Sequence, residues 1–188
     1  MEIILASTSK LKSDILNTVG IKHRCVDSEE PVVNTNDFYE FAKEKAEGKA
    51  KFVKEKGIII GLDTITIIND KIVEKPKSLE EAKQNLINSS NNITKVITGY
   101  SIINTETNEV ITDYQETTIS FREIPECDID YYIANEKDAM YASGFILETY
   151  MSNFVKEIKG SYYNIIGVPV EKIYEQLEKW NIHLKDIK

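Results

Sequence analysis

The sequence is poor in the residues that build disulfide scaffolds. Its two cysteines, Cys25 and Cys127, stand far apart in 188 residues. That spacing excludes a disulfide framework and a cysteine metal knuckle, and it fits a reducing compartment. Positive charge is scarce as well. Lys and Arg total 23 against 31 Asp and Glu, a net charge of −8, and Arg24 and Arg122 are the only arginines. This balance argues against nucleic acid or an anionic membrane as the main partner. It leaves room for a nucleotide, which needs only a few local cations. No apolar run approaches the length of a membrane span. The opening Ile3-Ile4-Leu5-Ala6 lacks the basic region and the length of a signal peptide. The expectation is a soluble, cytoplasmic protein. Internal repeats are lacking too. What is present, a 41% hydrophobic chain of this length, suffices for one domain with a substantial core.

Strand-like and helix-like segments alternate, which predicts an α/β fold. Glu2–Ala6 reads as a buried strand that runs through Ser7-Thr8-Ser9 into a helix bearing Leu11, Ile15, Leu16 and Val19 and stopped by Gly20. A helix N-terminus presents unpaired N–H groups and the positive end of its dipole. With Lys10 and Lys12 beside it, this turn is a candidate phosphate site; the alternative is an ordinary serine cap. Residues 21–28 read as a second strand, broken by Ser28-Glu29-Glu30-Pro31, whose acids either bind metal or form a solvated turn. Asn36-Asp37 caps a helix to about Lys56, with Phe38, Phe41, Ala42, Ala46, Phe52 and Val53 at helical spacing. Lys45 and Lys49 fall on or beside that stripe. They either snorkel to its rim or, for Lys45, point into a pocket and hold an anion.

Gly57–Ile60 reads as a buried strand, and Gly61-Leu62-Asp63-Thr64 places a carboxylate at its end before Ile65–Ile68. A carboxylate there is costly unless a metal, a base or a capped backbone pairs with it; otherwise Asp63 caps a turn between two strands. Asn69-Asp70 predicts a hairpin onto Lys71–Val73. In Glu74-Lys75-Pro76 the proline holds Lys75 extended, and the hairpin allows Lys75 to return toward Asp63. Ser78 and Glu81 form a capping box for the next helix. Lys95–Ile103 and Val110–Phe121 read as long strands, with Arg122 after them as a surface charge or an anion clamp. Glu126–Asn135 and Ser152–Ile158 read as helices. Pro169 suits the first turn of a last helix, with Val170, Ile173, Leu177 and Trp180 on one face.

Read together, several blocks resemble the Maf family of nucleoside triphosphate pyrophosphatases. They are Ile4–Ser9 (the family's Leu-Ala-Ser-x-Ser), Phe41–Ala46 (Leu-Ala-x-x-Lys-Ala), Gly61–Thr64 (Gly-Ala-Asp-Thr), Lys75-Pro76, Thr98-Gly99, Phe121-Arg122 and Gly160–Pro169 (Gly-Ser-Tyr-x-Asn-Val-Val-Gly-Leu-Pro), in family order over almost the full length. The resemblance implies a single domain over 1–188, with a curved mixed sheet flanked by helices and a cleft between two lobes. It implies hydrolysis of a nucleoside triphosphate to the monophosphate and pyrophosphate, aided by Mg²⁺ or Mn²⁺, and a homodimer. By the same carry-over, Asp63 acts as general base or orients the attacking water, near the metal; Glu30 in preference to Glu29 helps hold the metal, and Lys45 and Lys75 neutralise the triphosphate. Ser7, Ser9, Lys12 and Thr64 bind substrate. Two departures stand out. Leu11 and Lys12 replace two family arginines, so one cation is lost and a bidentate fork becomes a point charge. Glu148 stands where a substrate-positioning glutamine is usual, and an ionised glutamate cannot donate a hydrogen bond. The Gly160–Pro169 block resembles the branch that acts on dTTP and UTP. The same reaction on 7-methyl-GTP, or a nucleotide-binding regulator of division without turnover, are the alternatives.

Overall fold

The structure is a computed structural model that describes residues 2–135 and 140–187. Its strands are β1 (Ile3–Ala6), β2 (Arg24–Val26), β3 (Ile58–Ile68), β4 (Lys71–Val73), β5 (Ile93–Asn104), β6 (Glu109–Phe121) and β7 (Val155–Lys159). The helices are α1 (Lys10–Thr18), α2 (Phe38–Phe52), α3 (Leu79–Ser89), α4 (Glu126–Asn135), α5 (Tyr162–Ile165) and α6 (Val170–Lys179). The strands form one open mixed sheet in the order β2-β1-β3-β5-β6-β7, with β4 paired to β3. An α/β fold with a mixed sheet is as expected. Among the described residues no helix is long and apolar enough to cross a membrane.

The chain divides into two compact units. The first comprises Met1–Thr64, Ile97–Glu116 and Ser161–Lys188, and the second Ile65–Val96 and Thr117–Gly160. In the first unit β1 lies parallel between β2 and β3. Side chains alternate across a strand, so each strand feeds two layers. Ile3, Leu5, Ile58, Ile60 and Leu62 pack with Leu16 of α1 and Ile173 and Leu177 of α6. Ile4, Ala6 and Ile59 pack on the other face with Ala50 and Val53 from the end of α2. Each fully buried Ile or Leu stabilises the unit by about 1.5–3 kcal/mol.

Helix α2 lies unusually close to the sheet, and its composition explains why. Ala42, Ala46 and Ala50 recur at four-residue spacing and are fully buried. Opposite them stand glycines. A Cβ on Gly61 would lie 2.2 Å from the Ala46 carbonyl oxygen, and one on Gly99 2.0 Å from that of Ala42. Neither position has room for a side chain. The Asp37 carboxylate starts this helix by accepting from the N–H groups of Tyr39 and Glu40.

In the second unit Asn69 and Asp70, with φ of 52° and 55°, make the expected hairpin between β3 and β4. Ser78 caps α3 by accepting from the N–H of Glu81, but the Glu81 carboxylate takes the N–H of Lys77 rather than that of Ser78. Lys83 joins α3 to α4 through Asp130 at 2.6 Å.

Three expectations are corrected. Asp63 ends no strand and caps no turn: β3 runs unbroken through Gly61–Thr64. Its carboxylate is paired, so the ladder has no reason to stop. Residues 152–158 are not a helix; a 3₁₀ turn at Tyr150–Phe154 leads into β7, which pairs antiparallel with β6. The Val155/Ile158 spacing looks helical, but backbone pairing with β6 decides. The second strand is confined to Arg24–Val26.

Candidate active site

On β3 the residues that face α2 alternate, so Asp63 shares the face of Gly61. The close approach of α2 at Gly61 brings Lys49, one turn beyond Lys45, against that face. Lys49 Nζ donates to Asp63 Oδ1 at 2.7 Å. The same ammonium lies 2.7 Å from Glu30 Oε1, and Lys45 Nζ lies 3.6 Å from Glu30 Oε2. Glu30 reaches them because its loop is seated on α2. A Cβ on Gly48 would fall 2.4 Å from Cγ of Pro31, so glycine at that position admits the proline ring. Of the two adjacent acids it is thus Glu30 that faces the lysines; Glu29 makes no ion pair among the described residues.

The opposite face of β3 contributes Lys12, from α1. Its Nζ donates to the Leu62 carbonyl at 3.1 Å. Thr64 lies on that face too, its hydroxyl 3.1 Å from that of Thr98, which donates to the Asn164 carbonyl at 3.2 Å. The Gly160–Pro169 block closes against these groups: a Cβ on Gly167 would meet Thr64 Oγ1 at 2.6 Å and Lys12 Cε at 3.0 Å. Its φ of +89° independently favours glycine. Ser7 and Ser9 spend lone pairs on the backbone, Ser7 accepting from the Ser9 N–H and Ser9 from the Lys12 N–H. Both hydroxyls keep a proton to donate.

The charges act on one another. Burial pulls the Lys12 ammonium down to about 8, with Lys49's like charge pulling the same way and Asp63 and Glu30 opposing. Burial also works against a charged Lys49, but the charge and hydrogen bond of Asp63, with those of Glu30, outweigh it and hold Lys49 above the ordinary lysine value. For Glu30 burial works upward, and the hydrogen bond and charge of Lys49 together with Lys45 bring it below the usual carboxylate range. Lys49 pairs with both carboxylates and Lys45 with Glu30, and Lys12 from the other face of the strand adds a third positive charge within electrostatic reach, a local excess of one positive charge.

Of the residues singled out from the sequence, Glu30, Lys45 and Asp63 come together, Lys12 reaches the same strand, and Thr64, Ser7 and Ser9 belong to the same unit. Lys75 and Glu148 belong to the second unit. Lys75 is exposed with Nζ 4.9 Å from the Tyr141 ring centroid. Glu148 is exposed and has no hydrogen-bond or ion-pair partner among the described residues. Arg122 is no free anion clamp: its guanidinium donates to the Asn153 carbonyl and stacks 4.7 Å from the Phe154 ring. Lys49 is the residue that sequence reasoning did not single out. The signal was its four-residue offset from Lys45 on the same stripe.

Among the described residues no group of three or more His, Cys, Asp or Glu is arranged to hold a metal ion. Glu30 and Asp63 nevertheless supply hard oxygen donors that converge on one point. Two carboxylates fit Mg²⁺ or Mn²⁺ when phosphate and water oxygens complete the shell.

Residues 2–180 match the family described as Maf-like protein. The chain is 34% identical over 178 residues to the dTTP/UTP pyrophosphatase of Thermosipho melanesiensis, covering 94% of this chain and 97% of that one. It is 33% identical to the dTTP/UTP pyrophosphatase of Clostridium perfringens over 97% and 98% of the two chains. It is 32% identical to that of Clostridium novyi over 98% and 100%. Near-complete coverage in each direction, on a fold with the expected mixed sheet, places the chain: it belongs to the Maf family.

Proposed function

We propose that the chain hydrolyses a pyrimidine nucleoside triphosphate, dTTP or UTP foremost, to the monophosphate and pyrophosphate. One observation carries the reading: Asp63 sits mid-strand with Oδ1 held by Lys49 and no protein partner for Oδ2 among the described residues, inside a cluster with excess positive charge. The relatives named for dTTP and UTP point to the same substrates. In this scheme Oδ2 takes a proton from water. The water oxygen bonds to the α-phosphorus, the α–β bridging bond breaks, and its electron pair leaves on pyrophosphate. Lys12 and Lys45 offset the negative charge that develops there. Ser7 and Ser9 contribute hydroxyl donors, and Thr64, whose proton goes to the Thr98 hydroxyl, is a substrate contact through its lone pairs. Lys75, supported by its Lys-Pro motif, is a further cation of the reading, and Glu148 is a substrate contact by its position alone, since it replaces the family's glutamine. Glu30 and Asp63 would hold a divalent ion, Mg²⁺ or Mn²⁺, which when bound supplies additional neutralisation of the triphosphate. A second copy of the chain as partner rests on the family resemblance.

The test is product analysis with dTTP, UTP, CTP, 5-methyl-UTP and 7-methyl-GTP, with Mg²⁺ and then Mn²⁺. Monophosphate and pyrophosphate from dTTP and UTP are expected. Orthophosphate and a diphosphate would overturn the bond assignment, and preference for 7-methyl-GTP the base. Binding without turnover would favour a regulator.

Lys12 adds a pH signature. Its folded pKa is depressed to about 8, so it is charged below that value and neutral above it. With free enzyme, kcat/KM should fall as pH rises through about 8, chiefly through weaker triphosphate binding. In Lys12→Arg the cation persists, and that limb should disappear. A wild-type profile flat through pH 9 would remove Lys12 from substrate binding.

A further inference from the structure

Lys49 occupies the point at which Glu30 Oε1 and Asp63 Oδ1 converge, 2.7 Å from each. Its side chain is 11% exposed, and it is carried by α2, which is seated closely on Gly61. A cation shared by those same two oxygens needs the position that the ammonium holds. Lys12 and Lys45 add positive charge around it. We propose that Lys49 is a tethered competitor for the divalent ion: a positioning residue that keeps the two carboxylates gathered when no metal is bound and holds metal affinity low until a triphosphate brings its own negative charge. The inference rests on the proposed reading of Glu30 and Asp63 as metal ligands.

The physical argument is one of charge count. With Lys49 in place the two carboxylates are already partly neutralised, and a divalent ion entering beside an ammonium meets repulsion at short range. Phosphate oxygens from a nucleotide add anionic ligands without adding cations, so they favour the metal over the lysine. An uncharged side chain at 49 leaves the carboxylates as an unopposed pair, which should bind metal better but lose its arrangement in the metal-free protein.

The experiment counts free Mn²⁺ by electron paramagnetic resonance in the absence of nucleotide. Lys49→Met should bind Mn²⁺ at least about tenfold more tightly than wild type, since the competing charge is gone. Lys49→Arg should stay as weak as wild type. Glu30→Gln combined with Lys49→Met should lose the gain, because the pair of carboxylates is broken. Equal or weaker binding in Lys49→Met overturns the competitor role while leaving the metal ligands in place. No Mn²⁺ bound by either protein at millimolar metal overturns the Glu30–Asp63 ligand reading itself. A second measurement needs only folded wild type and the Lys49→Arg protein used to assign its signal. In protein carrying ¹³C-labelled lysine, the Lys49 Cε resonance should move as Mg²⁺ saturates the site. A resonance that stays put through saturation overturns the proposal.

Discussion

Asp63→Asn should lower kcat by about 10²- to 10⁴-fold, the usual worth of a positioned general base, and leave nucleotide affinity nearly unchanged. The substitution is nearly isosteric. Asparagine Oδ1 still accepts from Lys49, so the pairing that lets β3 run unbroken survives. What is lost is the second oxygen, which becomes an amide that cannot take a proton from water. Single-turnover kinetics with dTTP would read the rate. Calorimetry with a non-hydrolysable α,β-methylene analogue would read the Kd. Near-normal turnover would sink the role assigned to Asp63. Lost binding with a lowered melting temperature would show that the carboxylate serves chiefly to hold Lys49.

The second large effect is on stability. Gly99→Ala places a methyl 2.0 Å from the Ala42 carbonyl oxygen, 2.3 Å from its carbon and 2.7 Å from the Lys43 nitrogen. All three are backbone atoms of α2, so no side chain can swing aside, and the helix has to lift from the sheet. Overpacking against backbone should cost about 3 kcal/mol or more, which lowers the melting temperature by about 6–12 °C for a domain of this size. Because α2 also carries Lys45 and Lys49, the folded fraction should show reduced kcat/KM. A melting temperature equal to wild type would mean that α2 is not seated on Gly99.

How much of this was legible in the sequence depends on whether the determinant is local. The α/β alternation, the Asp37 and Ser78 caps, the Asn69-Asp70 hairpin and the Pro169 helix start are written in neighbouring residues, and each appears where expected. The need of Asp63 for a partner is legible as well, since a carboxylate in a buried strand is costly unpaired. Its place within the strand is not legible because Gly61 looks like punctuation, whereas the glycine admits the α2 backbone: a Cβ there would lie 2.2 Å from the Ala46 carbonyl oxygen. Lys49 stayed hidden for a related reason. A lysine beside an apolar stripe commonly snorkels to solvent, and only the contact of α2 with β3 shows that this one meets two carboxylates. The resemblance favours Glu30 over Glu29, and the physical reason, Pro31 seated over Gly48, is a packing that no periodicity encodes. Residues 152–158 failed as a helix because pairing partners distant in sequence choose between strand and helix for a short apolar run.

The lysine cluster is cationic in a protein whose net charge is −8. A triphosphate therefore approaches one anion as another until it comes within about a Debye length, about 8 Å at physiological ionic strength, where the lysines take over. Salt then acts in opposite directions on the two stages. It screens the long-range repulsion and quickens the encounter, while it weakens the short-range hold and hastens escape. Capture speed and residence time are set by different parts of the surface, so each can change in evolution without the other.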